Sequence, residues 1–151
     1  MMTYLPGDAF HPIPIFEDRD FWAYCAKQEL RFQACAACGA LRHPPTPVCW
    51  NCHSTAVEWR LAPTRAVVFS FTIVHHAADD RIRDSLPYVV IVAEFPDYGP
   101  VKLVSNLLAD PSMVHIGMIV ELIWEPAADG MFLPRFVRVG KGDPEAGAGQ
   151  W

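Results

Sequence analysis

The chain has 151 residues, 52% of them hydrophobic, with twelve Lys and Arg against seventeen Asp and Glu, for a formal net charge of −5. That length supports one modest core with a small appendage. The acidic balance provides poorly for the phosphate contacts behind nucleic-acid affinity, and no run approaches the eighteen or so apolar residues of a membrane span.

Met1-Met2-Thr3-Tyr4-Leu5-Pro6 lacks the basic flank and apolar stretch of a secretory signal, so a reducing cytoplasm is the expected compartment. Residues 1–16 hold Pro6, Pro12 and Pro14 and read as an extended arm whose Phe10, Ile13, Ile15 and Phe16 are expected to pack on something. Glu17-Asp18-Arg19-Asp20 reads as a helix start, with acids where the dipole favours them. Phe21, Tyr24, Cys25 and Gln28 then fall on one side at helical spacing, and the helix is expected to end near Leu30. Cys25 reads as a small buried apolar residue rather than a nucleophile.

Two C-x-x-C pairs follow, Cys35 with Cys38 and Cys49 with Cys52, ten residues apart. Each pair can place two thiolates on one turn, and two facing turns make a tetrahedral sulfur cage, the usual setting of a structural Zn²⁺. Disulfides fit poorly in a chain with an odd cysteine total and no signal peptide. A redox pair would want a βαβ setting that the sequence lacks. Residues 41–48, with prolines at 44, 45 and 47, are expected to form a small hairpin between the knuckles. Gly39 suits a positive φ after the first pair; His53 holds the matching place in the second, where it is tolerable but less comfortable.

After a break at 61–64 the pattern turns strand-like. Val67, Phe69, Phe71 and Ile73 alternate with Val68, Ser70, Thr72 and Val74. Apolar, β-branched runs recur at 88–95, 101–107, 118–125 and 131–139, separated by turn residues, of which Asp129-Gly130 is a hairpin signal. Five strands in so short a span fit a small closed barrel. The five-stranded OB-fold is the natural candidate and an SH3-like barrel the alternative. The Gly- and Ala-rich tail from Gly140 is expected to be disordered, with Trp151 at its end. The expected organisation is an arm and helix (1–31), a zinc ribbon (32–61), a barrel (62–139) and a flexible tail (140–151).

No nucleophile, base and oxyanion group are set out for independent catalysis, so no catalytic residue is assigned. The polar candidates are His75 and His76 at a strand end, then Arg81 and Arg83 in a charged loop. A wet surface histidine pair is the plain reading. Placed against a phosphate-bearing ligand or a partner, the arginines could meet phosphates as forked donors, although Asp79, Asp80 and Asp84 weigh against a positive pocket. Arg135, beside apolar strands, is expected to reach Glu94 or Glu121. Trp22, Tyr24, Trp50 and Pro44-Pro45-x-Pro47 are candidates for a partner surface, or equally for ordinary packing.

The order of these elements resembles a family of zinc-ribbon OB-fold proteins associated with acyl-CoA enzymes. The resemblance covers about residues 16–139. It rests on the N-terminal helix, Cys-Ala-Ala-Cys-Gly at 35–39, His-Pro-Pro-x-Pro-x-Cys at 43–49, Tyr-Val-Val-x-x-x-Glu at 88–94, Ile-Gly-Met-x-Val at 116–120 and Leu-Pro-Arg-Phe at 133–136. The family usually has Gly where this chain has His53. The resemblance implies a mainly β protein with an N-terminal helix, a rubredoxin-like zinc ribbon and an OB-fold barrel. It also implies a non-catalytic accessory subunit that stabilises a thiolase-like or aldolase-like enzyme and helps bind or retain acyl-CoA. An OB-fold nucleic-acid binder is the rival, and the charge balance disfavours it.

Overall fold

The change in sequence pattern near residue 61 is where the chain passes from one sheet to another. The computed structural model describes residues 12–140; the expectations for Phe10, for the tail beyond Gly140 and for Trp151 fall outside them. Of the arm, Ile13, Ile15 and Phe16 are exposed (74%, 58% and 81%), so the expected packing of these side chains is corrected.

A 3₁₀ turn at Phe16–Asp18 leads into helix α1, Arg19–Cys25. The helix buries Phe21 and Cys25, as its spacing predicts, but stops about a turn before Leu30. Gln28 takes φ 59°, its N–H donates to Cys25 O (2.9 Å), and Glu29 N–H donates to Tyr24 O (3.0 Å). That is a Schellman termination with Gln where Gly is usual, so no glycine marks the stop in the sequence.

Three short strands make the first sheet, in the order β2 (Leu41–Arg42), β1 (Arg31–Cys35), β3 (Val57–Leu61), all antiparallel. The hairpin expected within residues 41–48 is absent: both β2 and β3 pair with β1 instead. The Gln33 side chain explains the loop that replaces it. Its Oε1 accepts from Arg42 Nε and from Thr46 N–H (2.9 Å), doing for the loop what a strand partner would do.

The other five strands close into a barrel in the order β4 (Arg65–Val74), β5 (Tyr88–Phe95), β6 (Gly99–Leu108), β8 (Phe132–Arg138), β7 (Ile119–Pro126). This is the five-stranded OB-fold. The strand β5 alternates strictly, with Val89, Ile91, Ala93 and Phe95 inside. Along β4 the alternation breaks: at a bulge between Val68 and Ser70, Phe69 and Ser70 both face outward (Phe69 49% exposed), and Lys102 Nζ lies 4.4 Å from the Phe69 ring centre. Asp129 (φ 58°) and Gly130 (φ 73°) make the expected turn between β7 and β8. The closing contact of β6 with β8 is parallel and spans only Leu107↔Phe136 and Leu108↔Val137. Pro134 lies in the stretch of β8 where that ladder is missing, which accommodates a residue with no N–H.

The two sheets share one core. Phe32 of β1 is fully buried and stacks edge-on against Phe95 of β5 (centroids 5.4 Å), with Tyr98 6.0 Å from Phe32. Tyr98 Oη also donates to Arg60 O (2.8 Å), tying barrel to ribbon through a hydrogen bond.

Candidate metal centre and the polar groups around it

The two knuckles are built alike. Cys35 O accepts from Gly39 N–H (2.8 Å) and Cys35 N–H donates to Ala40 O (2.9 Å); Cys49 O accepts from His53 N–H (3.0 Å) and Cys49 N–H donates to Ser54 O (2.9 Å). Both need a left-handed residue at the fifth position, and both have one: Gly39 at φ 77° and His53 at φ 60°. His53 therefore adopts the glycine-like conformation, and the second knuckle keeps the hydrogen bonds of the first.

Together the knuckles gather the four thiols, whose Sγ atoms all lie within 4.8 Å of one another. Cys35 Sγ is 3.5 Å from Cys52 Sγ, and Cys38 Sγ is 3.7 Å from Cys49 Sγ. A tetrahedral ion with metal–sulfur bonds of about 2.3 Å has ligand–ligand edges of about 3.8 Å, so these separations fit four ligands around one ion. Cys35 and Cys49 are buried while Cys38 and Cys52 face solvent. The surroundings favour thiolate where the donors converge. Backbone N–H of Cys38 chiefly, with that of Ala37, lowers the Cys35 pKa to about 6. The Asn51 amide (Nδ2 to Sγ 3.5 Å) and the Ala40 N–H lower that of Cys38. Cys52 also receives a lowering N–H from Ser54, but the neighbouring sulfurs outweigh it and push its pKa up to about 12. A bound cation removes the repulsion that holds the proton on Cys52. Cys25 stands apart, fully buried, its pKa raised to about 12 by desolvation, as befits an inert thiol.

The other candidates lie on the barrel. His75 and His76 follow the end of β4 and are both exposed. Arg81 and Arg83 sit in a 3₁₀ turn, Asp80–Ser85, also exposed. Arg81 grips Asp79 with both Nε (3.0 and 3.1 Å) and Nη2 (2.6 Å), which holds the Asp79 pKa near 2, and Arg83 Nη2 pairs with Asp80. The loop's cations thus meet the loop's own carboxylates.

Arg135 corrects the expectation of Glu94 or Glu121. Its partner is Glu125, with Nε and Oε2 3.5 Å apart and side-chain exposures of 11% and 5%. The β7–β8 register places Ile123 opposite Arg135, which leaves Glu125 diagonally near, while Glu121 is taken by Arg65 (3.3 Å). Arg135 also lines a cleft of about 250 Å³ that the sequence did not reveal, where Phe21 and Trp22 of α1, His43 and Pro44 of the loop, and Leu133 meet. His43 Nδ1 is buried there with no hydrogen-bond partner among the described residues. Of the proposed partner-surface residues, Trp50 is 67% exposed, whereas Trp22 packs edge-on against Phe21 (5.1 Å).

A cysteine-knuckle ribbon followed by an OB barrel defines the class: a zinc-ribbon OB-fold protein. Comparison with known proteins refines this. A family model described as the ChsH2 rubredoxin-like zinc ribbon domain matches residues 22–58, and one described as the ChsH2 C-terminal OB-fold domain matches residues 59–125. Among solved structures, a chain of the Ltp2-ChsH2(DUF35) aldolase is similar at TM-score 0.77 and 32% identity, over 85% of this chain and 98% of that one. The chain belongs to this ChsH2-type DUF35 family. A DUF35 protein of unknown function from Sulfolobus solfataricus shares the fold (TM-score 0.56, 17% identity, 80% of this chain and 83% of that one). Two curated relatives are longer. The probable enoyl-CoA hydratase alpha subunit of Thermomonospora curvata is 38% identical over 131 residues, 85% of this chain but 40% of that protein. The 3-oxo-4,17-pregnadiene-20-carboxyl-CoA hydratase alpha subunit of Mycobacterium tuberculosis is 39% identical over 101 residues, 66% of this chain and 31% of that protein. The chain therefore spans less than half of either relative.

Proposed function

We propose that this chain is a non-catalytic accessory subunit of a thiolase-like or aldolase-like acyl-CoA enzyme. The observation that carries the reading is the similarity, over nearly the whole of that chain, to a chain of the Ltp2-ChsH2(DUF35) aldolase, together with the two ChsH2 family models. Cys35, Cys38, Cys49 and Cys52 would hold one zinc ion. Four thiolates complete a tetrahedron and leave no position for substrate, so the ion supports folding and takes no part in the partner's chemistry.

The exposed turn of Arg81 and Arg83, with His75 and His76 nearby in sequence, is our candidate for meeting coenzyme A or the partner. In this reading the arginines exchange their loop carboxylates for phosphate oxygens, which suit a forked guanidinium equally well. Replacing both Arg81 and Arg83 by Ala should weaken CoA retention by the assembled complex several-fold while partner binding persists. Equal CoA affinity would remove the loop from the site.

The test of the whole reading is affinity purification of the tagged chain from its native cell extract, with the partners identified by mass spectrometry and zinc measured in the same sample. Recovery of a thiolase-like or aldolase-like enzyme in near-equal amount, with about one zinc per chain, supports it. Recovery of RNA or DNA that survives moderate salt, without such an enzyme, overturns it.

A further inference from the structure

The strand β3 is an edge. Its neighbour is β1, and among the described residues no strand covers its other side. Which of its backbone groups face outward follows from the ladder. Ala62 N–H donates to Leu30 O (2.8 Å) and Ala36 N–H to Ala56 O (3.0 Å), continuing the β1–β3 register at both ends. Hydrogen-bonded pairs alternate along an antiparallel ladder, so Glu58 and Arg60 turn their N–H and C=O toward β1. Val57, Trp59 and Leu61 therefore turn theirs away from the sheet. Of these outward groups, Trp59 O has a long contact from Arg31 Nη1 (3.4 Å). The side chains of Val57 and Leu61 are 39% and 58% exposed beside that edge, and those of Glu58 and Arg60 43% and 46%.

The sequence of this edge, Val-Glu-Trp-Arg-Leu, is complementary to itself when reversed. We infer that β3 pairs antiparallel with β3 of a second copy of this chain, about a two-fold axis at Trp59. Trp59 then faces its own copy, Val57 faces Leu61 of the other chain, and Glu58 faces Arg60 in both directions. The parity agrees: Val57, Trp59 and Leu61, whose backbone groups point outward, fall at the hydrogen-bonded pairs. The Glu58–Arg60 couples fall at the alternate pairs, where side chains come closest. The same charges select the register. Moving the axis to residue 58 sets Glu58 against Glu58, and moving it to residue 60 sets Arg60 against Arg60. Within one chain, Glu58 already pairs with Arg60 (2.5 Å), so the dimer forms a closed square of four alternating charges. One five-residue ladder lies below the size of a standard stable interface, so the association is concentration-dependent and salt-sensitive.

Sedimentation of the zinc-loaded full chain, from about 10 μM to about 1 mM, a range suited to a small interface, reads this directly. Wild type should pass from monomer to dimer. Glu58→Arg and Arg60→Glu should each weaken the dimer about tenfold or more, because attractive pairs become repulsive in both directions. An equimolar mixture of the two variants should dimerise again, and so should the chain carrying both changes. Val57→Pro removes one outward N–H and leaves the bonds to β1 in place; it should also abolish dimerisation, with zinc content unchanged. A wild type that stays monomeric overturns the inference, as do charge variants that dimerise like wild type or a mixture that does not recover. Hydrogen exchange on a purified complex with the enzyme partner adds one more overturning result. If wild type never self-associates while that partner protects the amides of Val57, Trp59 and Leu61, the edge belongs to the enzyme.

Discussion

His43 shows how much a single residue's surroundings decide. Its ring lies 5.0 Å from that of Phe21 and 5.2 Å from that of Phe32, and burial lowers its pKa to about 4. The unfolded chain, with a histidine near 6.5, takes up the proton first as pH falls. Protonation of His43 therefore takes nothing from stability above about pH 6.5, and stability drains away between there and pH 4, by something on the order of 3 kcal/mol. Denaturation midpoints across that window should fall steeply for wild type and markedly less for His43→Leu. In the sequence His43 was visible only as the start of a proline-rich motif, since nothing local says that the loop turns its ring inward. The cysteines were legible because their spacing alone fixes their chemistry. Cys35→Ser or Cys49→Ser should lose the metal and destabilise the ribbon, read by zinc content and thermal melting. At Gly39 an added Cβ would meet only the Arg60 guanidinium, at ordinary contact distances (Nη2 3.6 Å, Nη1 4.0 Å), so Gly39→Ala tests the left-handed backbone itself and should cost about 1 kcal/mol in denaturant titration.

At the scale of elements, five barrel strands could be read because alternation and turn residues agree along most of the chain, as in β5 and at Asp129-Gly130. Where they disagree, a neighbour had decided the matter. The bulge at Phe69 interrupts the alternation of β4, and two-residue β2 is too short to carry a period at all. The end of α1 was illegible for a sharper reason: the left-handed position is filled by Gln28. Gln28→Gly should leave the helix end in place and stabilise the protein by up to about 1 kcal/mol, the left-handed penalty relieved less the added chain entropy. The pairing of Arg135 escaped prediction because it depends on the β7–β8 register, which strand patterns do not specify. Glu125→Ala leaves a largely buried guanidinium without its carboxylate and should cost roughly 3–5 kcal/mol by chemical denaturation. Replacing both residues by Leu should cost clearly less.

For the whole molecule, the boundary near residue 61 that the sequence pattern suggests is not a boundary in the core. Phe32 from the ribbon, Phe21 and Cys25 from α1, and Phe95 and Leu103 from the barrel belong to one buried cluster. Phe32→Ala should cost about 3–5 kcal/mol, and calorimetry should show a single transition at lower temperature rather than a separate early melt of the ribbon. Such sharing was out of reach of the sequence, which shows each segment's apolar face but not what covers it. It also bears on chimaeras. Gly99 opens β6 beneath Leu41 of the ribbon, and a Cβ there would stand 2.5 Å from the Leu41 Cδ1 atom. A knuckle sequence grafted from a relative onto this barrel would bring its own residues to the positions of Phe32 and Leu41, against a surface shaped for others. The ribbon is thus not an exchangeable cassette. Shuffled proteins of this kind should fold only when the graft carries its matching residues at 95, 98 and 99 along with its cysteines.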